Sequence, residues 1–507
     1  MTTAQQLFGS ASSRAVDAQA TATLEDGGLA VSGYELMQRA AAFALTTLVE
    51  RYPNCHGISI FCGKGNNAGD GYVVAYMAKQ MGLEVQTVAV CDSELLQGDA
   101  RIAYENFCEQ GLSIDSMPTE IKYPVLVDAL LGTGCRGPLR SPFDLAVQQI
   151  NQHTGPVVSL DLPSGIDADT GAGLSAVRSD LTISFITRKL GLYTGDGIAA
   201  AGERCFSDLG VPAKILAAHP SLPLFTWQPE QMPRLKLDTY KSRQGHIVIV
   251  GGASTMGGAT ILAAKAAFRA GAGLVTVVCH GENKTGLLAQ VPEAMWADPA
   301  GDECLDLMAQ ADVLLLGPGL GRDHWAEDIL RRAPRRTGPC LVDADGLYWL
   351  ANRPALRDEI LPEPEQLFIT PHAGEAARLL TKSVQEINAD RTGSALELSA
   401  IWRCSGVLKG PGSVVFSHAG ELSICAHGNP GMATAGMGDV LAGIASALLP
   451  SFGAQAAQRG FCQAVALHSA SADAAVQVLG QRSLMATDVI ECLPANMVVP
   501  DLFNAQT

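Results

Sequence analysis

The chain has 507 residues, 47% of them hydrophobic and 17% charged, with a formal net charge of −16. That length implies two or three domains, and the composition is that of a packed globular protein, not a disordered one. A diffuse acidic surface disfavours nucleic acid and anionic membranes as partners, but not an anionic small molecule held by backbone N–H groups.

Thirteen cysteines are dispersed, with no Cys-x-x-Cys pair and no Cys/His metal spacing, which fits reduced, mostly buried thiols. Residues 1–11 lack a basic region followed by an apolar core, and no apolar run reaches the ~18 residues of a membrane span. A cytoplasmic protein is the expectation.

Ser10 to Leu48 reads as helical, with a turn at Asp26-Gly27-Gly28 and apolar residues (Leu36, Met37, Ala40, Phe43, Ala44, Leu48) at helical spacing. A short apolar strand, Gly57 to Cys62, follows. Next come the string Gly63-Lys-Gly-Asn-Asn-Ala-Gly-Asp-Gly71, read as a loop, a helix from Tyr72 to Met81, and a strand from Glu84 to Val90. This is a βαβ unit with a glycine-rich first turn, and Glu84 stands about 20 residues on, as in dinucleotide-binding folds. The Gly-x-Gly-x-x-Ala pattern is weak by itself. The fuller Gly65-Asn-Asn-Ala-Gly-Asp-Gly71 is more specific, since it adds two amides and a carboxylate that a plain phosphate loop does not need.

Two further strand-then-loop segments follow. Pro124 to Leu131 carries Asp128 within an apolar strand and leads into Gly132-Thr-Gly-Cys-Arg-Gly-Pro138. Pro156 to Gly165 ends in Asp161 and a tight turn with Ser164. A carboxylate in a buried strand is costly unless it is paired, hydrogen-bonded by backbone N–H groups or bound to a cation. Asn67, Asp128 and Ser164 offer only hard oxygen donors, which suit an alkali or alkaline-earth cation better than zinc. Short strands over Leu181–Ile186 and Glu203–Phe206 flank a glycine-rich turn, Lys189 to Gly197, with Lys189 read as a substrate contact or, more simply, a solvated surface charge.

The three motifs GNNAGDG, VDALLGTGCRGP and LDLPSGID resemble those of the NAD(P)H-hydrate epimerase family. That family usually has glycine where this chain has Ala68; one added methyl implies slight repacking with function retained. The resemblance implies a Rossmann-like three-layer α/β/α domain that binds hydrated NADH or NADPH. It implies substrate contacts from Asn66, Asn67, Ala68, Gly69 and Asp70, from Gly132, Thr133, Gly134, Cys135, Arg136, Gly137 and Pro138, and from Asp161. It also implies a potassium ion at Asn67, Asp128 and Ser164. A carboxylate at Asp161 is chemically suited to move protons on and off the hydrate hydroxyl.

Five prolines between Val211 and Pro233 mark a linker. The reading assigns residues 1–218 to the first domain, 219–233 to the linker and 234–507 to the second domain. In the second half, strands are read over Lys241–Ser254, Gly273–Cys279, Ala311–Leu316, Pro339–Gly346 and Gln366–Glu375, two more joined by a Gly-Pro-Gly turn over Gly406–Phe416, and a hairpin of Ser413–Phe416 with Glu421–Ala426, with an alanine-rich helix up to Gly271. The alternation predicts an α/β/α sandwich with polar loops on one edge. No Walker A string occurs.

The stretch Asn429 to Gly443 runs from small residues and glycines into an apolar helix, Val440 to Leu449, with Asp439 at the join. Two readings stand at this point: a phosphate cradle with a base beside it, or an acidic N-cap on a buried helix. The glycine turn ending in aspartate resembles the ribokinase-like fold. Thr370-Pro-His-Ala-Gly-Glu375 resembles the kinases' Thr-Pro-Asn-x-x-Glu segment with His372 in place of asparagine.

Six motifs in order, KSRQGHIVIVGGAS, GPGLG, DADGL, TPHAGE, LKGPGSVV and NPGMATAGMGDVLAG, resemble the ADP-dependent NAD(P)H-hydrate dehydratase family. With the first half, this implies a fused epimerase and dehydratase. It implies that Lys409, Gly410, Pro411, Gly412, Ser413 and Gly438 hold the AMP part of ADP. Ala259, Gly319, His372 and Asp439 would hold the hydrate, with Asp439 as general base on its C6 hydroxyl. Mg2+ would accompany ADP, with Glu375 or Asp343 reaching it through water. The blander readings are a helix-capping or core-satisfied imidazole for His372 and a strand-end charge for Lys409. The expected assembly is a homo-oligomer, a tetramer or larger. Two alternatives remain open: a ribokinase-like kinase for a vitamin precursor, and a first half that is only a binding scaffold.

Overall fold

The computed structural model describes residues 5–22, 31–117, 120–173, 175–453 and 457–498. The chain forms two compact units, Met1–Pro223 and Leu224–Thr507.

The first unit is built on seven strands in the order Ile114–Ser116, Glu84–Ala89, Gly57–Cys62, Val125–Ala129, Val157–Leu160, Leu181–Phe185 and Glu203–Ser207. Every neighbouring pair is parallel. Gly57–Cys62 and Val125–Ala129 are buried throughout, as strands covered on both faces are. From Gly57–Cys62 the chain steps outward to Glu84–Ala89 and Ile114–Ser116, then returns to the other side at Val125–Ala129. Ligands of open α/β sheets bind where the strand order reverses in this way. The register pairs Cys62 with Ala129, so the two strands end side by side at that point.

The glycine string is not a loop. Helix Asn66–Gln80 begins inside it, with Gly65 as its cap. The packing face of its first turns is made of alanine and glycine, so no apolar period announces it. A Cβ on Gly69 would lie 2.7 Å from the Met37 sulfur, and one on Gly71 would lie 2.6 Å from the Ala129 Cβ. Ala68 is fully buried there, so the methyl that departs from the family pattern is accommodated in the helix interior. Glu84 opens its strand at the edge away from the strand C-termini and pairs with Lys79 at 3.3 Å, so it does not occupy the ribose-binding position of a dinucleotide fold. Helices Ser10–Thr21 and Gly33–Arg51 account for the first helical reading. The turn expected at Asp26-Gly27-Gly28 lies outside the described residues.

The second unit has parallel strands ordered Met295–Ala297, Leu274–Val278, His246–Val250, Val313–Leu316, Cys340–Val342, Leu367–Ile369 and Ser405–Leu408. Val414–Phe416 and Leu422–Cys425 extend the sheet antiparallel. Lys241–Gln244, read as the start of a strand, is a short 3-10 turn, and the strand begins at His246. Val211 to Pro233 is not wholly extended: it holds helix Ala213–Ala217, strand Leu222–Phe225 and a 3-10 turn, Pro229–Gln231.

Helices Gly257–Arg269, Met437–Ser451, Ala457–Leu479 and Ala486–Asn496 pack together as one apolar layer. Gly443 permits this, since a Cβ there would collide with the Ala263 carbonyl. Asp345–Asn352, Ala373–Leu380 and Arg391–Trp402 form a second helical group. The architecture is Rossmann-like in the first unit and ribokinase-like in the second.

Candidate active sites

In the first unit three strand ends converge. Register sets Asp128 beside Ser159 on the neighbouring strand. Asp128 is fully buried and accepts four hydrogen bonds, from the Ser159 hydroxyl (2.7 Å), the Ser164 hydroxyl (2.6 Å) and the N–H groups of Ser164 (2.9 Å) and Leu130 (3.2 Å). Burial raises its pKa, with the Ser164 and Ser159 bonds opposing. The Asn67 amide donates to the Leu131 carbonyl at 3.1 Å, and the Ser164 hydroxyl lies 3.2 Å from that same carbonyl. Asn67, Asp128 and Ser164 are therefore brought together around Leu131. The Asn67 Oδ1 atom is buried without a partner among the described residues. Such an atom is costly unless something outside the chain binds it.

Asp161 stands at the adjacent strand exit with φ of +66°. An aspartate in the left-handed region is strained, and the surrounding structure must hold it there. Its N–H donates to the Ile183 carbonyl at 2.7 Å. Its carboxylate forms an ion pair with Lys189. Lys189 is not a solvated charge: its side chain is 5% exposed, and Nζ also donates to the Phe185 carbonyl at 2.7 Å. Sequence reasoning favoured a solvated charge because the chain brings Lys189 to Asp161 only through the tertiary fold. Gly132 and Asn67 lie beside Asp161: a Cβ on Gly132 would be 3.6 Å from both Asp161 Oδ2 and Asn67 Cβ. Asp70 is raised well above the usual carboxylate range by burial and then by Asp161. Gly69 has a packing role in any case. Arg136 points to Asp169 and Ser10, both at 3.2 Å.

In the second unit Lys409 follows the strand Ser405–Leu408, and its N–H donates to the Pro371 carbonyl at 2.9 Å. Buried Arg391 fixes this corner by donating to the carbonyls of Leu408 (3.0 Å) and Lys409 (3.1 Å). Lys409 Nζ lies 2.9 Å from Asp343 Oδ1 and 3.8 Å from Glu375 Oε2. Burial alone would lower the Lys409 pKa, but Asp343 and Glu375 outweigh it and the net shift is upward. Glu375 is pushed up to about 7 by burial, with Lys409 opposing.

Helix Met437–Ser451 begins above this pair. Its cap is Gly436, at φ of +87°, a conformation that favours glycine. Asp439 is therefore not the N-cap but lies in the first turn. Its carboxyl is pushed up to about 7 by burial, then by Asp343, with Lys409 opposing. A Cβ on Gly438 would sit 3.2 Å from Lys409 Nζ and 3.6 Å from Asp343 Oδ2. Ala259 and Gly319 are neighbours, at 3.1 Å from the Ala259 Cβ to a Cβ built on Gly319. His372 does cap a helix: Nδ1 accepts from the N–H groups of Gly374 (3.0 Å) and Glu375 (3.3 Å), and Glu375 accepts in return from the His372 N–H at 2.8 Å. The imidazole is nonetheless 60% exposed, with Nε2 lying 3.4 Å from Glu375 Oε1. Among the described residues no group of three or more His, Cys, Asp or Glu forms a metal site.

Fold and sites together define a two-site α/β enzyme, with a buried carboxylate–lysine pair in one unit and a glycine-lined helix start carrying a carboxyl group in the other. The family model for NAD(P)H-hydrate dehydratase matches residues 247–495, and that for the YjeF-related protein N-terminus matches residues 33–191. A bifunctional NAD(P)H-hydrate repair enzyme from Coxiella burnetii is 39% identical over 90% of this chain and 94% of its own. One from Escherichia coli is 38% identical over 92% and 90% respectively. A solved ribokinase-like superfamily protein from Enterococcus faecalis is 31% identical, with a TM-score of 0.47, covering 53% of this chain and 92% of that one. The chain belongs to the family of bifunctional NAD(P)H-hydrate repair enzymes.

Proposed function

We propose that the protein repairs hydrated NADH and NADPH at two sites. Residues 1–218 interconvert the R and S hydrates, residues 219–233 link the domains, and residues 234–507 dehydrate the S hydrate with ADP as donor, giving AMP and phosphate.

The observation that carries the second activity is Asp439, poised near neutrality in the first turn of its helix. There it takes the proton of the C6 hydroxyl as that oxygen attacks the terminal phosphorus of ADP and AMP leaves. Lys409 Nζ and the N–H groups around Gly438 offset the developing charge. The C6–O bond then breaks with loss of a proton from the neighbouring ring carbon, and the conjugated ring is restored. Lys409 to Ser413 hold the AMP part with Gly438, while Ala259, Gly319, His372 and Asp439 hold the hydrate. Mg2+ supplies charge neutralisation when it arrives with ADP. Asp343 and Glu375 already engage Lys409 and His372, which suits contact through water.

In the first unit Asp161 carries protons to and from the hydrate hydroxyl, and Lys189 positions it. Asn66 to Asp70 and Gly132 to Pro138 line the substrate. Potassium at Asn67, Asp128 and Ser164 supplies a fixed positive charge when bound; the buried, unpartnered Asn67 oxygen supports that placement. All thirteen cysteines are free, which supports a cytoplasmic location. The working form is a homo-oligomer, a tetramer or larger. Purified S-hydrate of NADH, supplied with ADP and Mg2+, is expected to return NADH absorbance with AMP; a phosphorylated product without NADH would establish the kinase alternative.

A further inference from the structure

Strand Gln5–Phe8 and helix Ser10–Thr21 precede the residues that either family model matches. They are nonetheless built onto the wall of the first site. Leu7 pairs with Arg188 and Phe8 with Lys189, in parallel. Ser10 donates through N–H (2.6 Å) and hydroxyl (2.7 Å) to Asp169, and the Thr187 hydroxyl donates to the Ser13 hydroxyl at 2.9 Å. Both serines are buried. Ser10, Ser13 and Asp17 follow helical i, i+3, i+7 spacing, so they lie along one stripe. Two turns of that stripe are fastened to Asp169 and to Thr187, which stands two residues from Lys189, and Asp17 lies on the next turn. Lys189 and Asp161 are the charges that act electrostatically on Asp17, and Asp70 is linked to the same group. Asp17 is enclosed by protein on its docked side while its outer edge reaches solvent, and its carboxylate accepts no hydrogen bond among the described residues.

We infer that Asp17 is a second proton-transfer group of the epimerisation site, serving the face of the substrate ring that Asp161 does not. The inference rests on the placement of epimerisation at Asp161. Inverting a carbon that bears a hydroxyl beside a ring nitrogen requires its C–O bond to break and re-form on the other face. One carboxylic acid protonates the hydroxyl, which leaves as water with the C–O electron pair while the nitrogen lone pair closes an N=C bond. Water then adds from the opposite face, that pair returns to nitrogen, and the added water gives a proton to the second carboxylate. One carboxyl loses a proton, the other gains one, and nothing is oxidised. Lys189 is committed to Asp161 and Phe185; of the two further carboxyls linked to Asp161, Asp70 is the more enclosed, which leaves Asp17 as the one with open access to water.

The test uses the full chain with the R-hydrate of NADH and excess ADP, so that recovered NADH reports R-to-S conversion, while S-hydrate given separately reports dehydration alone. Asp17→Asn is expected to slow the first about a hundred-fold and to leave the second unchanged, with Asp17→Glu restoring part of the loss. An inflection near pH 6 in the R-to-S rate, from the Asp17 carboxyl raised to about 6 chiefly by burial, disappears in Asp17→Asn. A wild-type R-to-S rate in Asp17→Asn alongside a slowed Asp161→Asn overturns this inference alone. Wild-type rates in both overturn the placement of the epimerisation site itself. Ser13→Ala loosens the docking but keeps the carboxylate; an equal loss in that variant would make the Asp17 effect structural and overturn the inference.

Discussion

Lys409 Nζ lies 2.9 Å from Asp343 Oδ1, and the Asp343 side chain is only 1% exposed. Removing one partner of a buried ion pair leaves the other charge uncompensated, which costs more than the pair contributes. Lys409→Met is therefore expected to destabilise the second unit by about 3 kcal/mol and to abolish ADP-dependent dehydration. Denaturant unfolding checks the first effect. The double variant Lys409→Met, Asp343→Asn should recover stability without activity.

Asp439 makes the dehydration pH-dependent with a definite sign. As a base it works deprotonated, so the rate should rise with pH and level off above about 7. Its stability effect runs the other way. A carboxyl whose folded pKa exceeds its unfolded value binds a proton more readily when folded, so stability falls as pH climbs from about 4 to 7. Asp439→Asn is thus expected to be inactive yet to melt a few degrees higher than wild type at pH 8, with the gap closing at pH 4. A lower melting temperature at pH 8 would contradict the assignment.

The strand-end motifs were legible because apolar β-branched runs stop at polar turns, and parallel sheets gather those turns on one edge. Asp128, Ser164 and Lys409 stand at or just beyond such strand ends, whereas the grouping of Lys409 with Gly438 and Asp439 came from the resemblance of their motifs to a known family. What was illegible depends on contact between distant segments. Lys189 reads as a surface charge until Leu181–Phe185 and Gln5–Phe8 enclose it. Helix Asn66–Gln80 was placed late because glycine and alanine carry no apolar signal where they pack. Asp439 looked like a cap because the sequence does not reveal that Gly436 turns left-handed.

Potassium should act on the first unit. If the Asn67 Oδ1 atom meets the ion, KCl raises the melting temperature relative to choline chloride at equal ionic strength, since a ligand bound only by the folded state stabilises it. Asn67→Ala should lose that difference while its ADP-dependent use of S-hydrate stays normal.

Lys189 holds the Asp161 carboxylate, so Lys189→Met should reduce R-to-S conversion about a hundred-fold or more with dehydration of S-hydrate intact. Restoration by Lys189→Arg is expected to be partial, since a planar guanidinium does not reproduce the contact to both Asp161 and the Phe185 carbonyl.

The central claim is that two sites in one chain act on the two hydrates of one dinucleotide. The most direct measurement supplies the whole protein with an equal mixture of R and S hydrates of NADH, with ADP, Mg2+ and potassium. NADH absorbance should return in full in the wild type. In Asp161→Asn only the S portion should return rapidly, with the remainder following at the enzyme-free rate, and Asp439→Asn should recover none. Rapid recovery of both portions in Asp161→Asn, or ADP consumption without NADH in the wild type, would contradict the account.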